Sequence, residues 1–90
     1  MWLEWSPLAR ENLLAIVAYI AQDNPDAAEK LADEIEAKAD QLPSRPKLYK
    51  PGRVKGTREI IVRPNYIMVY AIEGETITIL RVLHAAQQWP

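Results

Sequence analysis

The chain is 90 residues long, 49% of them hydrophobic, and carries a formal net charge of −1. This length and apolar content predict one domain, residues 1–90, with a single core. The chain has no cysteine, which excludes a disulfide framework and thiolate chemistry. With a single histidine it also has few metal ligands, so we expect neither a metal nor another cofactor.

Large and polar side chains alternate briefly in Trp2–Trp5, a pattern that favours a short strand. The first helix is then predicted to begin at Ser6 and Pro7, because a serine oxygen accepts from free amide groups and proline has no amide hydrogen to lose. Apolar residues at helical spacing extend this helix to about residue 22.

A second helix is predicted to begin at Asn24 and Pro25, where the same start signal recurs. It carries an apolar stripe made of Ala28, Leu31, Ala32, Ile35, Ala39 and Leu42. The link between the helices is so short that the two must form an antiparallel hairpin.

Residues 43–56 contain prolines that stop the helix and are expected to form a surface loop. Three strands follow, Thr57–Arg63, Tyr66–Ile72 and Thr76–His84, and Gly74 suits the tight turn between the last two. The strands should pair antiparallel. Both of their faces are apolar, so one face packs on the hairpin, while the other is either covered by the tail and loop or left open as a docking groove.

Charge is distributed unevenly along the chain. Residues 1–44 contain nine acids and three bases, whereas residues 45–90 contain eight bases and three acids. Seven of the eleven Lys and Arg residues fall between Arg45 and Arg63, where the only acid is Glu59. Because protein surfaces usually intersperse both signs, this excess indicates a basic patch that attracts a polyanion or an acidic protein segment.

No window of the sequence is long and apolar enough for a membrane span, and the first residues lack the basic and apolar segments of a signal peptide. The lack of cysteine fits a reducing compartment. We therefore expect a cytoplasmic protein that does not associate with a membrane.

Four segments carry a family resemblance: Trp5-Ser6-Pro7, Tyr19-Ile20-Ala21 with Asn24-Pro25, PGRVKGTREIIVRPNYIMVYAI at 51–72, and ILRVLHAAQQWP at 79–90. Together they resemble the RelE/ParE superfamily of toxins from type II toxin–antitoxin modules over nearly the whole chain. The resemblance implies an α+β fold with an N-terminal helical hairpin packed on a small curved antiparallel β-sheet. It also implies a hetero-oligomer with an antitoxin that is acidic and partly disordered when free.

Two activities occur in that superfamily. ParE-like members poison DNA gyrase without hydrolysis, whereas RelE-like members cut mRNA in the ribosomal A site. The GTREIIV, PNYIMVY and RVLHAAQQWP segments are closer to ParE, so we expect a growth-arresting gyrase poison. Two alternatives stay open: a ribosome-dependent mRNA endoribonuclease, and a degenerate toxin that only binds its antitoxin.

If the chain is a ribonuclease, the catalytic candidates are Arg63, Arg81, His84 and Glu59. The arginines would stabilise the phosphate, and His84 or Glu59 would transfer protons. Histidine is the side-chain type best suited to proton transfer near neutral pH, which makes His84 a candidate, but His84 could instead be a strand-end histidine that bonds to the loop or tail. On a regular strand Glu59 and Arg63 share a side.

Strand alternation separates the other two candidates. On a regular last strand Arg81 lies with Ile77 and Ile79, whereas His84 lies with Val82 on the opposite face. Only a β-bulge could bring all the candidates to one phosphate. This separation weighs against nuclease activity.

The candidates for contact with the target or its phosphates are Arg53, Lys55, Arg58, Tyr49 and Trp89. Two of these have structural alternatives, since Tyr49 could pack on the hairpin and Trp89 could cover the sheet. The residue at 87 is Gln, where many superfamily members have Arg, which removes one phosphate contact. The candidates for antitoxin binding are Ile16, Ile20, Tyr66, Met68 and Tyr70, of which the last three could be core residues instead.

Overall fold

The computed structural model describes all 90 residues. Its elements, in chain order, are β1 (Trp2–Trp5), α1 (Pro7–Ala21), α2 (Pro25–Gln41), a 3₁₀ turn (Leu42–Ser44), β2 (Thr57–Arg63), β3 (Tyr66–Glu73) and β4 (Thr76–His84). The two helices pack on one face of a four-stranded sheet with strand order β1-β4-β3-β2. The predicted α+β architecture, a helical hairpin on a sheet, is confirmed.

Both helices begin where the sequence predicts. The Ser6 Oγ accepts a hydrogen bond from the Ala9 amide at 3.0 Å, and the Asn24 Oδ1 accepts one from the Ala27 amide, also at 3.0 Å. Each cap therefore satisfies an amide that the helix itself leaves free. Neither helix has the length and apolar character needed to cross a membrane.

The sheet is mixed. β2, β3 and β4 pair antiparallel as expected, and Gly74 takes a φ of 59° in the turn between β3 and β4. β1 pairs parallel with β4, and Trp5 lies opposite Ile79. The expectation of an antiparallel sheet thus holds for three strands, and the N-terminal strand adds a parallel edge.

The core lies between the hairpin and the sheet. From the α2 stripe, all residues except the partly exposed Ala32 are buried. The sheet contributes the buried residues Ile60, Val62, Met68, Tyr70, Ile77, Ile79 and Val82. Burial of these apolar and aromatic side chains away from water is the main source of stability in a domain of this size.

A β-bulge in β4 corrects the strand alternation predicted for a regular strand. Val69 lies opposite Arg81 but its neighbour Tyr70 lies opposite Ile79, so Leu80 is the extra residue. The bulge places Val82 on the helix-facing side with Ile79, where a regular strand would have separated them. The carbonyl of Leu80 accepts from the Ser6 hydroxyl at 3.2 Å, which holds the bulge against the start of α1.

A second bulge lies in β2. Ile61 pairs with Ile67 and Arg63 pairs with Tyr66, so Val62 is the extra residue. Arg63 therefore does not share a side with Glu59, and that prediction is wrong. Its guanidinium instead forms an ion pair with Glu34 of α2, with an Nη2 to Oε2 distance of 2.9 Å.

The sheet face opposite the helices is partly covered. Val69, Ala71 and Leu83 are buried although they do not belong to the helix-facing core, and the C-terminal tail with Trp89 lies on this side. Ile61 on the same face stays 64% exposed. This face is therefore covered in one part and open in another, so each of the two predicted alternatives describes part of it.

Candidate functional site

One row of residues crosses the sheet on the face opposite the helices. Glu59 of β2 lies opposite Val69 of β3, which in turn lies opposite Arg81 of β4. Directly opposite residues of neighbouring strands project on the same face. An acid and a base therefore lie at the two ends of this row, with a fully buried valine between them.

Arg53 holds the acidic end of the row. Its Nε and Nη2 donate to the two carboxylate oxygens of Glu59, both at 3.1 Å, and its backbone amide donates to Oε2 at 3.0 Å. This two-pronged pairing orients both groups. The pairing offsets the charge of Arg53, a predicted target contact, and occupies its Nε and Nη2 donors.

The same contacts determine the charge state of Glu59. Burial raises the pKa of this carboxyl group, but the hydrogen bonds and positive charge of Arg53, with a smaller contribution from the Trp89 indole, lower the pKa below its ordinary value of 4.5. Glu59 is thus a carboxylate at neutral pH. A base with a lowered pKa is weak, so these contacts do not favour Glu59 as the proton acceptor of a nuclease.

At the other end of the row, Arg81 is held by groups without charge. Its Nε donates to the Asn12 Oδ1 at 2.9 Å, and the same oxygen accepts from the Val82 amide at 3.1 Å. The guanidinium carbon lies 5.6 Å from the centre of the Trp89 ring. A cation over an aromatic face is stabilised without losing its charge, so Arg81 remains able to bind an anion.

Trp89 connects the two ends of the row. Its ring contacts Arg81, and its indole N–H lies near enough to Glu59 to help lower that group's pKa. The indole nitrogen is buried and makes no hydrogen bond of acceptable geometry. Val69 lies between Arg81 and Glu59 in the row and is fully buried, so we interpret the Trp89 ring, which reaches both of its neighbours, as a cover of the sheet.

Arg63 and His84 lie away from this row. Arg63 is paired with Glu34, and His84, at the end of β4, lies opposite Tyr66 with their ring centres 5.4 Å apart in an edge-to-face contact. The bulge at Val62 turns Arg63 to the face opposite Glu59, and the bulge at Leu80 precedes both Arg81 and His84, so these two residues stay on opposite faces of β4. The four catalytic candidates do not form one site in this structure.

The hydrogen bonds of His84 tie it to the tail. Its Nδ1 accepts from the Ala86 amide at 3.1 Å, and its own amide donates to the Gln87 Oε1 at 2.8 Å. Arginine has no acceptor atom in its side chain and could not replace Gln87 in the second bond. These contacts agree with the structural alternative for His84, a strand-end histidine bonded to the tail.

The loop candidates divide by their surroundings. Tyr49 packs against the core, and its carbonyl accepts from the Arg58 Nη1 at 2.6 Å. Lys55 is exposed and forms no ion pair. Arg58 is half-buried and lies opposite the buried Tyr70. Burial raises the pKa of the Tyr70 hydroxyl, and the nearby positive charge of Arg58 acts in the opposite direction.

The antitoxin-binding candidates also divide. Met68 and Tyr70 are fully buried under the hairpin, so a partner cannot contact them in the folded chain, and their assignment to this surface is corrected. Ile16 and Tyr66 instead line a groove of about 400 Å³ with Ala15, Tyr19 and His84. Ile20 is half-buried against the core.

Two residues of this arrangement are not indicated by any sequence pattern considered above. Asn12 and Glu34 stand on helices among residues chosen by apolar spacing, and neither belongs to a motif. Asparagine is unfavourable inside a helix, and that local conflict is the one signal that could have indicated a tertiary role for Asn12. For Glu34, one of nine acids in the first half, the sequence offers no comparable signal.

Comparisons with known proteins agree with this architecture. The sequence model of a family described as "ParE toxin of type II toxin-antitoxin system, parDE" matches residues 3–89. The chain is 40% identical over 89 residues to a protein of Sinorhizobium fredii named toxin Y4kP, covering 98% of this chain and 92% of that one. It is 34% identical over 85 residues to toxin RelE2 of Caulobacter vibrioides, covering 92% and 93%.

The fold is also similar to a chain in the structure of the chromosomal ParDE TA system from P. aeruginosa. The TM-score is 0.83 at 24% sequence identity, covering 93% of this chain and 95% of that one. This similarity extends over the hairpin and the sheet together.

Proposed function

Because the chain belongs to the ParE family of toxins from type II toxin–antitoxin systems, we propose that it arrests growth by binding DNA gyrase and does not itself hydrolyse a nucleic acid. The observation that carries this proposal is the separation of the proton-transfer candidates. Cleavage of RNA without a metal needs an acid and a base at one phosphate. Here Glu59 is bound by Arg53 across the sheet from His84, which is bonded to the tail.

Expression of the chain without its antitoxin tests the proposal. We expect growth arrest, DNA breaks that disappear in a strain with a resistant gyrase, and induction of the SOS response. Primer extension on cellular mRNA should reveal no new ends at translated codons. New ends within codons, without DNA breaks, would contradict gyrase poisoning.

The second candidate function is a ribosome-dependent mRNA endoribonuclease. Similarity to a relative that is named RelE2 favours it, and so does Arg81, a cation that no carboxylate neutralises. In this mechanism Arg81 stabilises the phosphate, and His84 must leave the tail to transfer a proton. The primer extension above separates the two functions, and harmless accumulation of the folded chain would instead indicate a toxin that only binds its antitoxin.

The antitoxin is proposed to bind the exposed side of α1. This helix contains only two charged residues, Arg10 and Glu11, and its exposed surface includes Leu14 at 68% and Tyr19 at 76% exposure. The groove beside it, between α1 and the end of the sheet, provides a site for apolar side chains of an amphipathic segment. Carboxylates of that segment would lie toward the basic loop. The proposed compartment of the toxin is the cytoplasm, where both proposed targets are found.

A charge placed in the groove tests this surface. Tyr19→Asp should weaken neutralisation by a co-expressed cognate antitoxin, while the toxicity of the chain alone stays unchanged. Gln22→Asp, exposed one turn later and outside the groove, is the matched control. Equal neutralisation of both variants would remove α1 from the antitoxin interface.

A further inference from the structure

A second cationic site lies at the edge of the sheet, separate from the row that joins Glu59 to Arg81. A cavity of about 410 Å³ opens there, lined by Lys47, Pro51, Gly56, Thr57, Arg58 and Ile72. Two of these residues are cations and none is an acid. This Lys47–Arg58 cavity is therefore electropositive.

The acids next in sequence are directed away from the cavity. Glu59 follows Arg58 on β2 and lies on the opposite face, where Arg53 binds it. Glu73 follows the lining residue Ile72 on β3, and strand alternation turns its side chain to the other face. Neither Lys47 nor Arg58 takes part in a salt bridge, so no carboxylate of the chain compensates their charges.

Two hydrogen bonds fasten the loop that carries Lys47, and Arg58 of β2 makes one of them. The Arg58 Nη1 donates to the carbonyl of Tyr49 at 2.6 Å, and the buried Tyr70 donates from its hydroxyl to the carbonyl of Pro46 at 2.7 Å. Lys47 stands between these two anchored positions. Because the acceptor of the Arg58 hydrogen bond is the neutral carbonyl of Tyr49, the loop positions Arg58 without neutralising its charge.

A half-buried guanidinium with no anion beside it is costly, and an anionic ligand would remove that cost. A single carboxylate needs only the planar fork of one arginine, whereas a phosphate offers more oxygens and more charge and suits an arginine together with a lysine. We infer that the Lys47–Arg58 cavity binds a phosphate group, from a small phosphorylated molecule or from a nucleic-acid backbone. This inference does not depend on whether the toxin acts on gyrase or on mRNA.

The test is a titration of the ¹⁵N-labelled full chain with inorganic phosphate, with chloride holding the ionic strength constant. We expect saturable shifts of the amide signals of Gly56, Thr57 and Arg58. Lys47→Gln should weaken this binding at least about tenfold, the loss of one hydrogen bond to a charged group. Arg45→Gln removes an exposed base outside the cavity and should weaken it less than about twofold, since solvent and salt screen such a charge.

Arg58→Lys provides a second variant that keeps the charge but loses the fork, and it should also weaken binding. The absence of saturable shifts in the natural chain would overturn the inference. Equal weakening by Lys47→Gln and Arg45→Gln would overturn it as well, because the effect would then be general electrostatic attraction.

Two further probes separate the sources of phosphate. Tighter binding of a short single-stranded oligonucleotide, in competition with inorganic phosphate, supports a nucleic-acid backbone at the site. Binding of ribose 5-phosphate without the oligonucleotide supports a small ligand. A glutamate-rich peptide that binds more tightly than every phosphate compound would overturn the assignment and indicate an acidic protein segment.

Discussion

Arg81 on the last strand is oriented by Asn12 on the first helix, through a hydrogen bond of 2.9 Å from Nε to Oδ1. The other two arginines with a side-chain acceptor, Arg53 and Arg63, are held by carboxylates. A carboxylate partner orients a guanidinium and also cancels its charge, whereas an amide only orients it. Among these three, Arg81 alone keeps its positive charge available.

Substitution of Asn12 separates the two effects. Asn12→Ala should lower the free energy of unfolding by about 1–3 kcal/mol, because Arg81 and the Val82 amide both lose their acceptor. Asn12→Asp retains the acceptor and should unfold close to the natural chain, but it neutralises Arg81. Urea unfolding measures the free energy of unfolding of both Asn12 variants. Glu11→Ala, on the exposed side of α1, is the control.

Toxicity completes the test of Asn12. If the charge of Arg81 contributes to target binding, Asn12→Asp should be less toxic than the natural chain at equal stability, and Arg81→Gln should be similarly weakened. Full toxicity of Asn12→Asp at equal protein level would show that Arg81 has a structural role only.

The cover provided by Trp89 should depend on its ring and not on its nitrogen. Trp89→Ala exposes Val69 and is expected to cost about 1–3 kcal/mol of unfolding free energy, from lost apolar burial. Trp89→Phe retains a ring over Arg81 and loses an N–H that has no hydrogen-bond partner, so its cost should be smaller. Thermal and urea unfolding measure both variants. If Trp89→Ala and Trp89→Phe lower the free energy of unfolding equally, the ring is not packed on the sheet.

The Arg53–Glu59 pair should make stability depend on acid pH. Since the pKa of Glu59 in the folded chain lies below its ordinary value of 4.5, its stabilising contribution is complete above that value and is lost as pH falls through the folded-state pKa. Glu59→Gln should therefore be less stable than the natural chain at pH 7, with the difference shrinking as the pH falls below about 4.5.

Urea unfolding at several pH values measures this difference. Glu75→Gln, an exposed change in the turn before β4, is the control for loss of a carboxylate without an ion pair. A difference between Glu59→Gln and the natural chain that stays constant from pH 7 to pH 3 would contradict the pairing.

Gly52 is required by a close approach of the loop to β2. Its amide donates to the Thr57 carbonyl at 2.7 Å, and a methyl group at Gly52 would collide with the Thr57 hydroxyl oxygen. Gly52→Ala should cost about 1–3 kcal/mol, as overpacking does in a closed site. In a double-mutant cycle, Gly52→Ala with Thr57→Ala should cost less than the sum of the two single changes, and simple additivity would exclude the collision.

The elements of this fold are largely readable from local sequence. Cap residues and apolar spacing predicted both helices to within a residue or two, and the three C-terminal strands begin where predicted. The superfamily resemblance is confirmed by the family match over residues 3–89. Local patterns suffice here because caps and periodicity act over only a few residues.

Side-chain direction was harder to predict, because it depends on the two bulges. Val82 and Arg63 each lie on the side that a regular strand would deny them, since one extra residue reverses every later side chain. Nothing in β2 or β4 marks Val62 or Leu80 as extra. The bulge at Leu80 coincides instead with a contact between distant parts of the chain, the hydrogen bond from the Ser6 hydroxyl to the Leu80 carbonyl.

The parallel pairing of β1 with β4 determines when this fold can be completed. Ser6 and Leu80, which lie beside that pairing, are 74 positions apart in sequence, so their contact closes nearly the whole chain into one loop. Such closure carries a large entropic cost and slows folding. During synthesis, the edge of the sheet cannot assemble until β4 has left the ribosome, so β1 stays without its strand partner until residues 76–79 have been made and extruded.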